Sequence, residues 1–265
     1  MSERVGVVGK REDRRLEQGN FKSILLTFLV LPIAAYLLYE LLFLAIGFGF
    51  SDLDIELLVY EIGICIPLVS FVLLRRQLSI AGWAMPRGWF WLVIVGPLWL
   101  GIFTPAADAF QFYASSPHKI IQFFAVSIFV AVNEETIFRG FILGGMQKLF
   151  RPVSAAIISS VAFGVIHFLN LNSGGDIVFV SAQAMGAAAM GMVMAATVLY
   201  SKSILPAIFV HWAVDFVGLG ALGGYEDAIQ AAEMAPSIIV SALLFFGWGL
   251  FWVWRFQRKQ MNDLK

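Results

Sequence analysis

Long apolar runs decide what this chain can become. A helix crossing a bilayer needs about 20 mostly apolar residues, and eight runs qualify, at about 23–48, 57–74, 89–107, 119–149, 153–171, 177–200, 204–222 and 236–254. In lipid the backbone must satisfy its own hydrogen bonds, and within a single run only a helix does so. The sequence therefore predicts an all-α, polytopic transmembrane helical bundle of about eight spans. The third and seventh runs contain proline or glycine, which neighbouring helices can absorb. The fourth is longer than one crossing requires, so its end, GMQKLFR, is expected to emerge into water. Only 14% of the residues are charged, against about 25% in soluble domains, as suits a chain that meets lipid along most of its length.

Positive charge tests this partition independently of hydropathy. Sixteen of the 18 Lys and Arg fall on one side of the eight-span layout, while Lys119 falls on the other and Arg139 lies within a span. By the positive-inside rule both termini are then cytoplasmic. The opposite loops, SDLDIE, LNSGGD and GGYEDA, are acidic or neutral. Trp89, Trp91, Trp252 and Trp254 open or close spans on the cytoplasmic side, at the level where indole rings settle. The expected organisation is a polar cytoplasmic tail over 1–20, one transmembrane domain over 21–258 and a cytoplasmic tail over 259–265. The first tail lacks a cleavable signal pattern. Its Lys10, Arg11, Arg14 and Arg15 suit attraction to anionic membrane lipid at about 1 kcal/mol each, or simple solvation of the tail. Zero net charge gives no basic field for nucleic acid, and no GxxxxGKS loop is present for a nucleotide. The single cysteine, Cys65, excludes an internal disulfide and a cysteine-rich metal site.

Ionisable groups within spans are costly and mark function by default. Here they are Glu40, Glu61, Glu134, Glu135, Arg139, His167, His211 and Asp215. Glu40 and Glu61 stand alone, and protonation, snorkelling or a local hydrogen bond accounts for each. The stretch NEETIFRG at 133–140 is different. Glu135 and Arg139 are four apart on a helix and share a face, so each offsets the other's desolvation. Glu134 is turned by about 100° from Glu135 and points elsewhere. The pair looks structural and the spare carboxylate looks free to react. The small-residue run AQAMGAAAMGMVMAA is read mainly as a surface for close helix packing, with substrate contact by its methionines as the alternative.

His118 falls in a loop, whereas His167 and His211 fall within spans, in FGVIH and HWAVD. A lone membrane histidine is more often a packing group than a catalyst, but two of them beside an unpaired glutamate shift that balance. With a turn near Arg151, Glu134 lies 17 residues before it and His167 lies 16 after it, so an antiparallel hairpin brings them to one level at about 1.5 Å per residue. His211 lies about 10 Å from the cytoplasmic start of its span, and the levels meet if the hairpin projects by about 13 Å. The site is thus expected in the cytoplasmic half of the bilayer. Asp215, four residues after His211, shares its face and can orient the imidazole. Glu134, His167, His211 and Asp215 together supply a base, an electrophilic partner and orienting groups, the parts needed to hydrolyse a peptide bond.

EETIFR fits EExxxR, FGVIH fits FxxxH and HWAVD fits HxxxN/D, in that order on successive spans. The chain over residues 119 to 220 resembles the CAAX-protease and bacteriocin-processing family, also called CPBP or Abi. The resemblance implies an intramembrane endopeptidase in which Glu134 and His167 activate water, His211 and Asp215 stabilise the oxyanion, and Glu135 with Arg139 holds the frame. Family members have been described both as metalloproteases and as metal-independent glutamate proteases. Were a metal used, Glu134, His167 and His211 could ligate zinc with a water in the open position, although HExxH is absent. Expected partners are membrane lipid and a membrane-associated peptide or protein, processed in CAAX or leader-peptide fashion, and the expected location is the plasma membrane of a prokaryote. Two other classes compete: a proton or ion transporter, for which Glu, His and Asp relays also serve, and a non-catalytic bacteriocin-immunity or scaffold protein. The transporter reading predicts repeat symmetry, which the sequence does not display.

Overall fold

A computed structural model describes residues 22–26, 30, 33–34, 37–38, 53–74, 82–172, 174–224 and 232–263. In chain order the helices are α1 Leu53–Leu74, α2 Trp91–Ile94, α3 Gly96–Phe103, α4 Ala106–Ser115, α5 Pro117–Glu134, α6 Pro152–Ile166, α7 Ile177–Ser201, α8 Leu205–Leu222 and α9 Ala235–Asp263. Helix α5 continues directly into a π-helical segment, Glu135–Leu143, and a last turn, Gly144–Met146. Helix α6 tightens into a 3-10 segment, His167–Leu171. No strand occurs among the described residues, and the fold is all-α.

Among the described residues, six helical segments are long and apolar enough to cross a membrane: Ile55–Leu73, Pro117–Met146, Pro152–Leu171, Ile177–Ser201, Leu205–Leu222 and Ala232–Asp263. They coincide with the second and the fourth to eighth apolar runs. Most of the first run, with Glu40 and the tail 1–20, lies outside the described residues. The third run is helical but broken into α2, α3 and α4, with interruptions at Val95 and around Thr104 and Pro105. Proline has no N–H and its ring crowds the preceding turn, so Pro97 and Pro105 each sit where a helix restarts.

Local signals account for most of the other ends. Proline occupies the first turn of α5, α6 and α8, where its missing N–H is no loss. Asp176 caps α7 by accepting from the N–H groups of Val178 and Phe179 at 2.8 and 3.0 Å. That helix ends at Lys202, whose φ of 58° is the one left-handed non-glycine backbone among the described residues. Its ammonium lies 4.5 Å from the Phe256 ring centre. Burial and then the neighbouring Arg87 hold its pKa below the usual lysine range.

Helix α7 is central and packs most extensively against α9 and α6. Glycines make this possible: a Cβ at Gly249 on α9 would lie 2.6 Å from the Met192 backbone, and one at Gly164 on α6 would lie 2.5 Å from the Ala184 carbonyl. Such close approach is how helices associate where lipid supplies no hydrophobic drive. Met192 and Met194 are fully buried in this core, in agreement with packing as the main role of the run. Trp89 and Trp254 are exposed, and Trp252 is buried against Phe90 and Tyr200.

Contacts at two places fix α8. At the start, Ile204 N–H donates to the Gly82 carbonyl at 3.0 Å and Arg87 N–H donates to the Ser201 carbonyl at 2.7 Å, while Ser203 Oγ bonds the Ala84 carbonyl. The segment 82–90 is thereby docked onto the α7–α8 turn. Farther along, the Tyr113 hydroxyl of α4 donates to the Phe216 carbonyl at 2.6 Å. Burial raises that phenol well above its usual range, so it remains a donor. Gly220 admits the Tyr113 ring, which a Cβ there would meet at 2.6 Å.

Candidate active site

The site is built where α5, α6 and α8 meet, and each helix contributes through a local departure from ordinary α geometry or through one-turn spacing. On α5 the ladder changes from α to π at Glu135, directly after Glu134. π segments loosen the i→i+4 ladder and recur at functional sites. The Phe138 carbonyl within it accepts from Ser159 Oγ of α6 at 2.7 Å, and Thr136 Oγ1 accepts from Trp83 Nε1 at 3.2 Å. Its altered hydrogen bonding is thus shared with neighbouring elements.

Glu135 and Arg139 form the ion pair that their spacing predicts, with Glu135 Oε1 and Arg139 Nη1 3.1 Å apart and both side chains fully buried. The guanidinium also stacks over Phe163, 4.2 Å from the ring centre. The angle of the Glu135–Arg139 contact is not that of a hydrogen bond, so the Arg139 nitrogens lack hydrogen-bond partners among the described residues. The pair is best regarded as ionic, with the aromatic face completing it.

Glu135 does more than its spacing suggests. Its Oε1 also accepts from His211 Nδ1 at 2.9 Å. The opposite nitrogen of that ring, Nε2, lies 3.4 Å from Glu134 Oε2 and 3.3 Å from Asp215 Oδ2. Ionised carboxylates only accept, so a fully attractive set of contacts has a proton on both His211 nitrogens. Asp215 is the most open of the three carboxylates, with 28% side-chain exposure against 12% for Glu134 and none for Glu135. Glu134 Oε2 is buried without a hydrogen bond.

His167 sits where α6 becomes a 3-10 helix. The N–H groups at that switch reach the Gly164 and Val165 carbonyls, which leaves the Phe163 carbonyl to bond His167 Nδ1 at 2.9 Å. A carbonyl cannot donate, so Nδ1 carries the proton and Nε2 presents a lone pair. Phe163 lies edge-on between the two imidazoles, its ring centre 5.0 Å from that of His167 and 5.8 Å from that of His211. Glu134, Glu135, Arg139, His211 and Asp215 are therefore one contiguous cluster, and His167 joins it across Phe163. Spacing alone did not assign Phe163 a part, although its place four residues before His167 was the available signal.

Of the three residues named for zinc, Glu134 and His211 lie 3.4 Å apart, and His167 stands across Phe163 from His211. No group of three or more His, Cys, Asp or Glu side chains is arranged to hold a metal ion among the described residues.

Residues 116–217 match the family model described as Type II CAAX prenyl endopeptidase Rce1-like. This segment is Rce1-like. It extends from the residue before α5 into α8 and contains Glu134, Glu135, Arg139, His167, His211 and Asp215. The resemblance drawn from the EETIFR, FGVIH and HWAVD motifs is thus matched by a family model over 102 of the 265 residues. No curated protein and no solved structure matches the chain. Helices α1 and α9 lie outside the Rce1-like segment.

Proposed function

We propose that this chain is an intramembrane endopeptidase whose water is activated by Glu134 and His167. The observation that carries this reading is the state of Glu134. It is a partly buried carboxylate 3.4 Å from an imidazole, its buried Oε2 has no hydrogen bond, and its neighbour Glu135 already holds both Arg139 and His211. An uncommitted carboxylate of this kind is costly to bury and is suited to accept a proton.

In the proposed reaction the water oxygen attacks the scissile carbonyl carbon while Glu134 takes a water proton. The lone pair on His167 Nε2 orients that water. The His211 Nε2–H, braced from behind through Nδ1 by Glu135, donates to the developing oxyanion. When the C–N bond breaks, Glu134 returns its proton to the leaving amine. Asp215, within 3.3 Å of the same nitrogen, acts through His211 by fixing the ring's orientation.

The substrate we propose is a membrane-associated peptide or protein, reached from the cytoplasmic half of the bilayer. Purified protein in proteoliposomes, given farnesylated and unmodified membrane peptides as separate arms, tests this by mass spectrometry of the products. Glu134→Ala and His167→Ala should each lower kcat by about 100-fold or more, the scale of a lost general base. The arm that is cleaved identifies the substrate class. Equal cleavage by wild type and both variants overturns the proposal.

A further inference from the structure

The intramembrane carboxylate Glu61 takes no part in the reaction above, yet it is only 5% exposed, on a helix outside the Rce1-like segment. Its partner is Asn133, itself fully buried. Asn133 Nδ2 donates to Glu61 Oε2 at 2.7 Å and to the Glu61 main-chain carbonyl at 2.9 Å. Both partners are acceptors, so the amide can present only its NH2 end to them. The other end, Asn133 Oδ1, has no hydrogen-bond partner among the described residues. Asn133 is oriented toward α1 even at the expense of its own carbonyl.

The place of this contact gives it meaning. Asn133 is the residue immediately before Glu134, and two residues later the helix ladder becomes π. A backbone that changes ladder there is less constrained by its own hydrogen bonds. A two-pronged side-chain bond to another helix supplies the missing constraint, and a displacement of about 1 Å in a reacting group costs about 100-fold in rate. We propose that Glu61 and Asn133 form a positioning clamp that sets Glu134 against the scissile bond. This rests on the endopeptidase reading. Glu61 and Asn133 are positioning residues that act through Glu134, not groups that touch substrate.

A polarity swap in the full-length protein, in proteoliposomes with a peptide that the wild type cleaves, tests the clamp. Asn133→Asp sets acceptor against acceptor and should lower kcat by about tenfold or more, with KM within about twofold of wild type. Glu61→Gln combined with Asn133→Asp restores the side-chain prong in the reverse sense, while the new carboxylate still faces the Glu61 main-chain carbonyl, so kcat should recover in part, to about threefold or more above that of Asn133→Asp alone. A purely structural tie would lower the yield or Tm without a selective loss of kcat. Wild-type kcat in Asn133→Asp overturns the clamp. So does a double variant that melts like the wild type yet remains as slow as Asn133→Asp. If Asn133→Asp does not fold, Asn133→Ala takes its place for the loss of kcat, and the double variant still reports the rescue. If the wild type cleaves no peptide while Glu61→Gln and Asn133→Asp shift Tm independently, both the endopeptidase reading and the clamp fail. If it cleaves normally and only the swap fails, the clamp alone falls.

Discussion

Glu135 is the residue on which the buried charges turn, since one oxygen meets both the Arg139 guanidinium and His211 Nδ1. Breaking a buried ion pair from one side leaves a charge without compensation and is destabilising by about 3–5 kcal/mol, whereas replacing both partners with apolar groups is often nearly neutral. Glu135→Leu should therefore unfold the protein at markedly lower temperature, and Glu135→Leu with Arg139→Met should recover most of the lost stability in a thermal melt. Cleavage should remain absent in the double variant, because His211 has lost the acceptor on Nδ1. Recovery of both stability and cleavage would show that Glu135 serves only Arg139. The Glu135–Arg139 pair was legible from sequence because residues four apart are neighbours on any helix. The bond from Glu135 to His211, 76 residues away, was not legible, since it depends on how α5 and α8 are rotated against each other. For the same reason Glu61 read as an isolated carboxylate: its partner Asn133 lies 72 residues on.

At the scale of elements, glycine determines how closely α7 can be approached. Gly249 faces the α7 backbone with no room for a Cβ, whereas Gly247, one turn fraction away on the same helix, has nothing within 4 Å of that position. Gly249→Ala should lower stability by about 1–3 kcal/mol through overpacking. Gly247→Ala should instead be neutral or stabilising by up to about 1 kcal/mol through helix propensity. Parallel thermal melts decide this, and equal shifts would mean that α7 and α9 can separate without loss. The run AQAMGAAAMGMVMAA revealed a close-packed helix because small residues have that consequence in lipid. The matching glycines on α6 and α9 could not be paired with it, because helix adjacency is not written in any one segment. The π segment was equally hidden. EETIFRG contains no residue type that demands a wider turn, and the bonds to Ser159 and Trp83 that accompany it come from elsewhere in the chain.

For the whole molecule, apolar run length carried the all-α, multi-span architecture. The run at 89–107 looked like one crossing by hydropathy, but Pro97 and Pro105 divide it into short helices. Hydropathy counts apolar residues without registering where a missing N–H forces a restart. With an even number of crossings, the charge asymmetry predicts that both termini share the cytoplasmic side. A phosphatase fused after residue 265 should be inactive and one inserted beside Lys119 should be active, and the reverse pattern would invert the assignment. Helix α8 carries His211 and Asp215, and it is pinned near one end by the 82–90 segment and farther along by the phenol of Tyr113. A rod held at two points changes its tilt only when one of them moves against the other. A change in bilayer thickness that shifts α4 relative to the 82–90 segment would thus reach the imidazole as a change of tilt, coupling turnover to the lipid in which the protein sits.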